Sequence, residues 1–300
     1  MKTAIVSGAT GFIGVHLCYE LVSNNVEVYA LVRKNSINAE RLPDNVHIIE
    51  CGMDDYSSLS GIQADIFFHL AWEGATGPKR DDEIIQSKNV VRTLAALSTA
   101  KRLGCERFVA LGTVYEKLAE QILSETYHRK ADFYLLSKLS AHQMCYKLAQ
   151  KLDIEFVWAT IFQPIGKYIK KEQVIAYTID CLIKGIKPEY GPALEPYDIT
   201  AVEDIVRGLR LIGEGILKQS EYYIGSGKPM ILKAYLEKIR KIIETDTDLD
   251  IGSKADDGLR FSFDWYNIEP LKTDTGFEPK VEFEQAVINV INWLKTGEHI

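Results

Sequence analysis

The sequence predicts an α/β protein built on a doubly wound parallel sheet, and three observations predict it. Short apolar runs alternate with helical patterns through the first half. Most of those runs are nearly continuous, as strands buried on both faces require. A glycine-rich turn joins the first run directly to the first helical stretch.

Taken in order, the predicted strands are Thr3–Ser7, Val26–Val32, Val46–Glu50, Ile66–Leu70, Arg107–Leu111 and Glu155–Ile161. The helical patterns between them cover Phe12–Asn24, about Asp82–Leu103 and about Asp132–Leu152. In the second of these, Val90, Leu94 and Leu97 fall on one face. Alternation of this kind implies right-handed crossovers and helices on both sides of the sheet. After about Pro164 the rhythm changes, with helical patterns near Glu172–Lys184, Glu203–Leu217, Leu232–Glu244 and Phe283–Lys295. The stripe Leu232, Tyr235, Leu236, Ile239 and Ile243 reads as core packing, and links such as Gly225–Pro229 separate the elements. We expect a first domain over residues 1–164. A smaller C-terminal α/β lobe over 165–300 should cover the carboxyl ends of the strands, with segments crossing back.

A chain of 300 residues, 46% apolar and 26% charged, is ample for a buried core. Its net charge of −7 argues against a nucleic-acid partner, which would favour a basic face. No apolar run approaches the ~18 residues of a membrane span. The opening MKTAIVSGAT is too short in apolar length for a secretory signal. Cys18, Cys51, Cys105, Cys145 and Cys181 are scattered without a CxxC pair. Reduced thiols in a cytoplasmic protein are expected, with no disulfide framework and no metal site.

Gly8, Gly11 and Gly14 are spaced GxxGxxG between the first strand and the first helix. That is the dinucleotide fingerprint: one glycine for the tight turn, one for approach of a pyrophosphate, one for close helix–strand packing. The helix then presents unpaired N–H groups to phosphate. The candidate cofactor-binding residues here are Gly8, Thr10, Gly11, Phe12, Ile13 and Gly14, on a Rossmann-like sheet. An acid at the end of the second strand would select NAD. Val32 stands there instead, followed by Arg33 and Lys34. A guanidinium at that point can pair with a 2′-phosphate, so NADP is expected, with NAD still open and a merely solvated loop as the alternative.

Tyr134 and Lys138 form YLLSK, about 120 residues beyond the glycine motif. At i and i+4 on a helix they share a face. A free tyrosine titrates near ~10. A unit charge ~4 Å away is worth roughly 4 kcal/mol at an effective dielectric of ~20, enough to bring the phenol towards neutrality. A surface Tyr–Lys pair is the alternative reading.

Together GATGFIG, HLAW (His69–Trp72), FVALGT (Phe108–Thr113) and YLLSK resemble the extended short-chain dehydrogenase/reductase family, the NAD-dependent epimerase/dehydratases, over nearly the whole chain. The resemblance implies that Thr113 is the hydroxyl of a Thr113–Tyr134–Lys138 catalytic set. It adds Leu70, Ala71, Tyr134 and Lys138 to the cofactor contacts and makes Asn89 a structural asparagine. It further implies a nucleotide-linked sugar as substrate and a homodimer pairing through the helices at Asp82–Leu103 and Asp132–Leu152. Similar segments continue at Trp158–Lys167 and Tyr197–Val206. There are departures. Val114 and Tyr115 follow Thr113 where the 4,6-dehydratases carry Asp-Glu, which disfavours dehydration. No cysteine near Thr113 matches the 3,5-epimerase pattern. Tyr197 replaces a phosphate-contacting arginine, and Gly52 or Met53 an adenine-contacting acid. The expected activity is an NAD(P)-dependent 4-ketoreductase of a nucleotide-linked sugar, favoured by the basic second-strand loop. A 4-epimerase with retained NAD and a non-catalytic NAD(P) sensor are the other readings.

Overall fold

The computed structural model describes residues 1–122 and 132–295. Six strands fall where the apolar runs place them: β1 Thr3–Ser7, β2 Glu27–Val32, β3 Val46–Glu50, β4 Ile66–His69, β5 Arg107–Thr113 and β6 Glu155–Ile161. A seventh, Glu221–Tyr223, joins from the second half of the chain. The sheet order is Glu221–Tyr223, β6, β5, β4, β1, β2, β3, and every pairing is parallel. Strand order reverses between β1 and β4, where chains leave the sheet in opposite directions and a crevice opens at the carboxyl ends.

The pleat divides the core in two. Ala4, Val6, Ile66, Phe68, Val109 and Val157 face α1 (Phe12–Ser23) and α5 (Val202–Glu214). Ile5, Phe67, Phe108, Ala110, Phe156 and Trp158 face α2 (Glu83–Arg102) and α3 (Phe133–Leu152). β3 is the exception to burial on both faces. It lies at the sheet edge, and Ile48 is exposed.

A third cluster forms beyond β6. α4 (Val174–Ile183), α6 (Leu232–Ile243) and α7 (Phe283–Lys295) close around Ile175, Ile179, Tyr235, Ile239, Val287 and Val290. Between α4 and α6 the chain returns to the main sheet, through α5 and Glu221–Tyr223. A short parallel pair, β7 (Gln163–Ile165) with Ile199–Ala201, carries the chain between the two clusters. Two buried carboxylates hold the second half. Asp198 accepts from Tyr223 Oη at 2.9 Å and from the backbone and hydroxyl of Ser226, fixing the Gly225–Pro229 turn. Asp204 accepts from the backbone N–H of Lys280 and Val281 at 3.0 Å each. No helix among the described residues is long and apolar enough to cross a membrane.

Candidate active site

The glycine turn is tight enough that side chains would not fit. Gly8 has φ +71°, and a Cβ there would sit 2.7 Å from Ala71 N. A Cβ on Gly14 would lie 2.1 Å from Gly8 O. Gly11 is the N-cap of α1; no side chain caps it, and the first turn holds no acid. The helix therefore ends in unsatisfied N–H donors beside a cradle that only glycine permits, a set of donors that fits a dinucleotide pyrophosphate. Ser36 Oγ reaches Thr10 Oγ1 at 3.4 Å, which ties the β2 loop to this turn.

A cavity of about 460 Å³ runs from Gly8, Gly11, Phe12, Ile13 and Gly14 past Leu70 to Thr113, Tyr134 and Lys138. Residues 126 positions apart in sequence, Gly8 and Tyr134, thus share one wall system. Ala71 packs its backbone on the glycine turn from outside that lining. Arg33 and Lys34 are exposed on the loop after β2 and do not line the cavity.

Lys138 is buried. Its Nζ donates to Leu111 O at 2.7 Å and lies 3.8 Å from the centre of the Trp72 ring. Burial pushes its pKa down to about 7, with the Glu116 charge pulling the other way. Tyr134 meets Trp72 edge-on at 6.1 Å. Burial pushes the phenol up, while the nearby Arg80 guanidinium and a hydrogen bond with Thr113 pull it down.

Behind these groups stands a layer that the motifs did not announce. Glu116 is buried and accepts from Thr113 N at 2.8 Å and from Trp158 Nε1 at 3.1 Å. His142 pairs with it at 3.3 Å and stacks on Trp158 at 4.7 Å. Thr113 and Glu116 form a capping box at the start of the 3₁₀ helix Val114–Gln121. The spacing T-x-x-E was the available signal for Glu116. Arg80 had none; its guanidinium stacks 4.2 Å from the Tyr134 ring centre and 4.4 Å from that of Tyr115.

The loop carrying Trp72 and Arg80 is pinned by α2. Asn89 bonds Glu73 in both directions, Oδ1 accepting from Glu73 N at 3.1 Å and Nδ2 donating to Glu73 O at 2.8 Å. Gln86 accepts from Trp72 Nε1 at 2.9 Å and donates to Lys79 O at 2.8 Å. His69 lies beneath. Thr93 gives its proton to Asn89 O at 2.8 Å, so it accepts from His69 Nε2 and leaves Nδ1 to accept from Ser7 Oγ. Burial, then the Lys138 charge, push this histidine down to about 3, so it stays neutral.

A model of the NAD dependent epimerase/dehydratase family matches residues 4–225. The chain is 25% identical to the CDP-abequose synthase of Salmonella typhimurium, over 97% of each sequence. It superposes with a TM-score of 0.81, at 20% identity and 98% coverage of both chains, on the UDP-N-acetylglucosamine 4-epimerase of Methanobrevibacter ruminantium solved with UDP-N-acetylmuramic acid. The Bordetella bronchiseptica enzyme WbmF, solved with NADH, gives 0.79 at 22% identity, covering 98% of this chain and 92% of that one.

Burial of Lys138 sets a pH dependence. The unfolded chain holds the proton up to about 10.5, the ordinary lysine value, whereas the folded chain releases it from about 7. Between those values the unfolded state binds more protons, so stability rises with pH, at most about 1.4 kcal/mol per unit. Lys138→Met removes this penalty. Net of the lost bond to Leu111 O, its stability relative to wild type should be greatest at pH 7 and below and shrink as pH rises. Denaturant unfolding at pH 6, 7.5 and 9 measures the gap; a gap independent of pH would contradict a buried-charge cost.

Proposed function

The chain belongs to the NAD dependent epimerase/dehydratase family, and from that premise we propose that it is an NAD(P)-dependent oxidoreductase of a nucleotide-linked sugar, working as a 4-ketoreductase. The observation that carries this reading is the convergence of Thr113, Tyr134 and Lys138 on one cavity with the glycine turn. The same convergence argues against a non-catalytic sensor, which would have no use for a phenol and a buried lysine at the bottom of a cleft.

In this proposal residues 1–164 bind the dinucleotide and 165–300 the substrate, with Val202–Tyr223 returning to the first domain. Gly8, Gly11 and Gly14, with Thr10, Phe12 and Ile13, would hold the pyrophosphate at the α1 terminus, and Leu70 and Ala71, which back the glycine turn, would complete the cofactor contacts. When bound, the nicotinamide supplies the hydride. Tyr134 gives its proton to the substrate oxygen in reduction, and takes one in oxidation. Thr113, hydrogen-bonded to Tyr134, orients that oxygen. Lys138 favours the phenolate once the proton has left and bonds a ribose hydroxyl with the hydrogens not committed to Leu111 O. Glu116 fixes Thr113 from behind through its backbone N–H. The five cysteines, all buried and free, suit the reducing cytoplasm.

A 4-epimerase would use the same residues, and superposable structures bear that name. The two readings differ in stoichiometry: a reductase consumes one reduced cofactor per product, an epimerase none in net. The exposed Arg33 and Lys34 support NADP and hence reduction.

Three outcomes test the proposal. Tyr134→Phe keeps the ring and deletes the acid, so turnover should fall about 10²–10⁴-fold with little change in cofactor affinity. Thr113→Val should lose less, and near-normal turnover in Tyr134→Phe would sink the mechanism. NADPH should bind more tightly than NADH, and Arg33→Ala should erase most of the difference; dissociation constants favouring NADH in the wild type would reverse the assignment. The chain should also be a homodimer through α2 and α3, which leave Ile84, Val91, Leu136 and Met144 exposed. Light scattering that finds a monomer at micromolar concentration would refute the pairing.

A further inference from the structure

Arg80 sits in the cavity on the short turn Pro78–Asp81, with its charge met by no acid among the described residues. Its guanidinium lies over the Tyr134 ring at 4.2 Å and the Tyr115 ring at 4.4 Å, a placement that attraction to both π faces stabilises. Nη1 reaches Ala75 O only at the long distance of 3.5 Å. Nη2 is buried with no hydrogen-bond acceptor, and no ion pair joins Arg80 to an acid among the described residues. A buried N–H without an acceptor is costly, so a group that supplies one is bound with corresponding preference.

Two other cations, Lys138 and Lys170, and one acid, Glu172, line the same cavity. Lys138 spends a donor on Leu111 O beneath the Trp72 ring. Lys170 is bonded to Thr76 Oγ1 at 2.9 Å near the opening. Tyr197 also lines the cavity, but burial holds its phenol well above the ordinary range and therefore neutral. Gln173 Oε1, in the same lining, is a buried acceptor without a donor. Among the described residues, the buried polar atoms of this lining that lack a partner are thus a cationic donor and a neutral acceptor, which matches an oxyanion flanked by hydroxyls.

We propose that Arg80 is an anion-binding, specificity-determining residue of the substrate half of the cavity, taking a phosphate or carboxylate oxygen of the ligand on Nη2. This rests on the reading of the site as one for nucleotide-linked sugars. The planar fork suits an oxyanion better than an ammonium does. The loop is held by Gln86 and Asn89, so the donor is placed before the ligand arrives and little ordering cost remains. The shared chemistry is an oxyanion, and it has two sources: the diphosphate, or an acid group on the sugar.

Calorimetric titration of the full chain, saturated with nicotinamide dinucleotide, separates them. UDP, UDP-glucose and UDP-glucuronate are titrated into wild type, Arg80→Met and Arg80→Lys. Arg80→Met keeps the unbranched stem and should weaken binding about 10- to 100-fold, the worth of a charged hydrogen bond. Arg80→Lys should fall between, and dinucleotide affinity should hold in both. A loss shared by UDP and UDP-glucose assigns the diphosphate to Arg80. A loss confined to UDP-glucuronate assigns the sugar carboxylate. Wild-type affinity of Arg80→Met for all three overturns the proposal and leaves the substrate reading standing. A wild type that binds none of the three overturns the substrate reading and this proposal with it. Should Arg80→Met fail to bind the dinucleotide, Arg80→Lys decides, and its retention of full affinity for all three overturns the proposal.

Discussion

Keeping an ammonium group out of water at Lys138 is the constraint around which the candidate site is arranged. An isolated buried charge is too expensive to persist, so it must be met by dipoles, π faces or an opposite charge. Leu111 O supplies a dipole, the Trp72 ring a π face, and Glu116 the opposite charge one layer back. Each of these partners needs holding in turn. Gln86 grips the Trp72 indole, Trp158 and Thr113 N–H groups grip Glu116, and His142 closes the far side by stacking on Trp158. The penalty that remains shows in the lysine, which burial still drives down to about 7. Stability is thus given up at the place where a protonatable group close to neutrality is most useful for chemistry.

The sheet makes that arrangement reachable. Reversal of strand order between β1 and β4 opens a crevice into which the glycine turn, the end of β5 and the first turn of α3 all project. A parallel sheet puts the carboxyl ends of its strands on one edge, so residues far apart in sequence meet there without any long loop. The second half of the chain completes the fold as well as covering it. α5 packs on the α1 face, and Glu221–Tyr223 adds the seventh strand beside β6. Asp198 and Asp204 anchor those returns through buried hydrogen bonds, which explains why two acids of the Tyr197–Val206 segment lie among backbone donors and away from the cavity.

Among the described residues, polar satisfaction runs through the site with two exceptions. His69, Thr93, Asn89 and Ser7 form a chain in which each proton has a defined acceptor. Asn89 and Gln86 together bond the backbone carbonyls of Glu73, Gly74 and Lys79. Arg80 Nη2 and Gln173 Oε1 stand outside this economy, both in the one cavity. Where neighbouring groups are so fully paired, unpaired ones mark the places where a ligand completes the structure.

The sequence by itself determined what periodicity and backbone constraint encode. Apolar runs located β1 to β6, several to the residue; in all but the edge strand β3 the reason is that burial on both faces leaves little room for polar alternation. The GxxGxxG spacing located the tight turn, because no other residue can occupy positions 8 and 14 at that separation. YLLSK located a Tyr–Lys pair, because a helix repeats its face every three to four residues. Tertiary structure alone decided the rest. Glu221–Tyr223 is too short to announce itself as a strand and exists through its pairing with β6. Arg80, Trp158 and His142 lie on three different elements, and their chemistry comes from neighbours that no local pattern specifies; for Glu116 the T-x-x-E spacing signals the cap on Thr113, and only the fold brings Trp158 and His142 to it. The long-range contacts that bury a charge depend on where crossovers bring the chain back, and a short window of sequence carries no record of that distance.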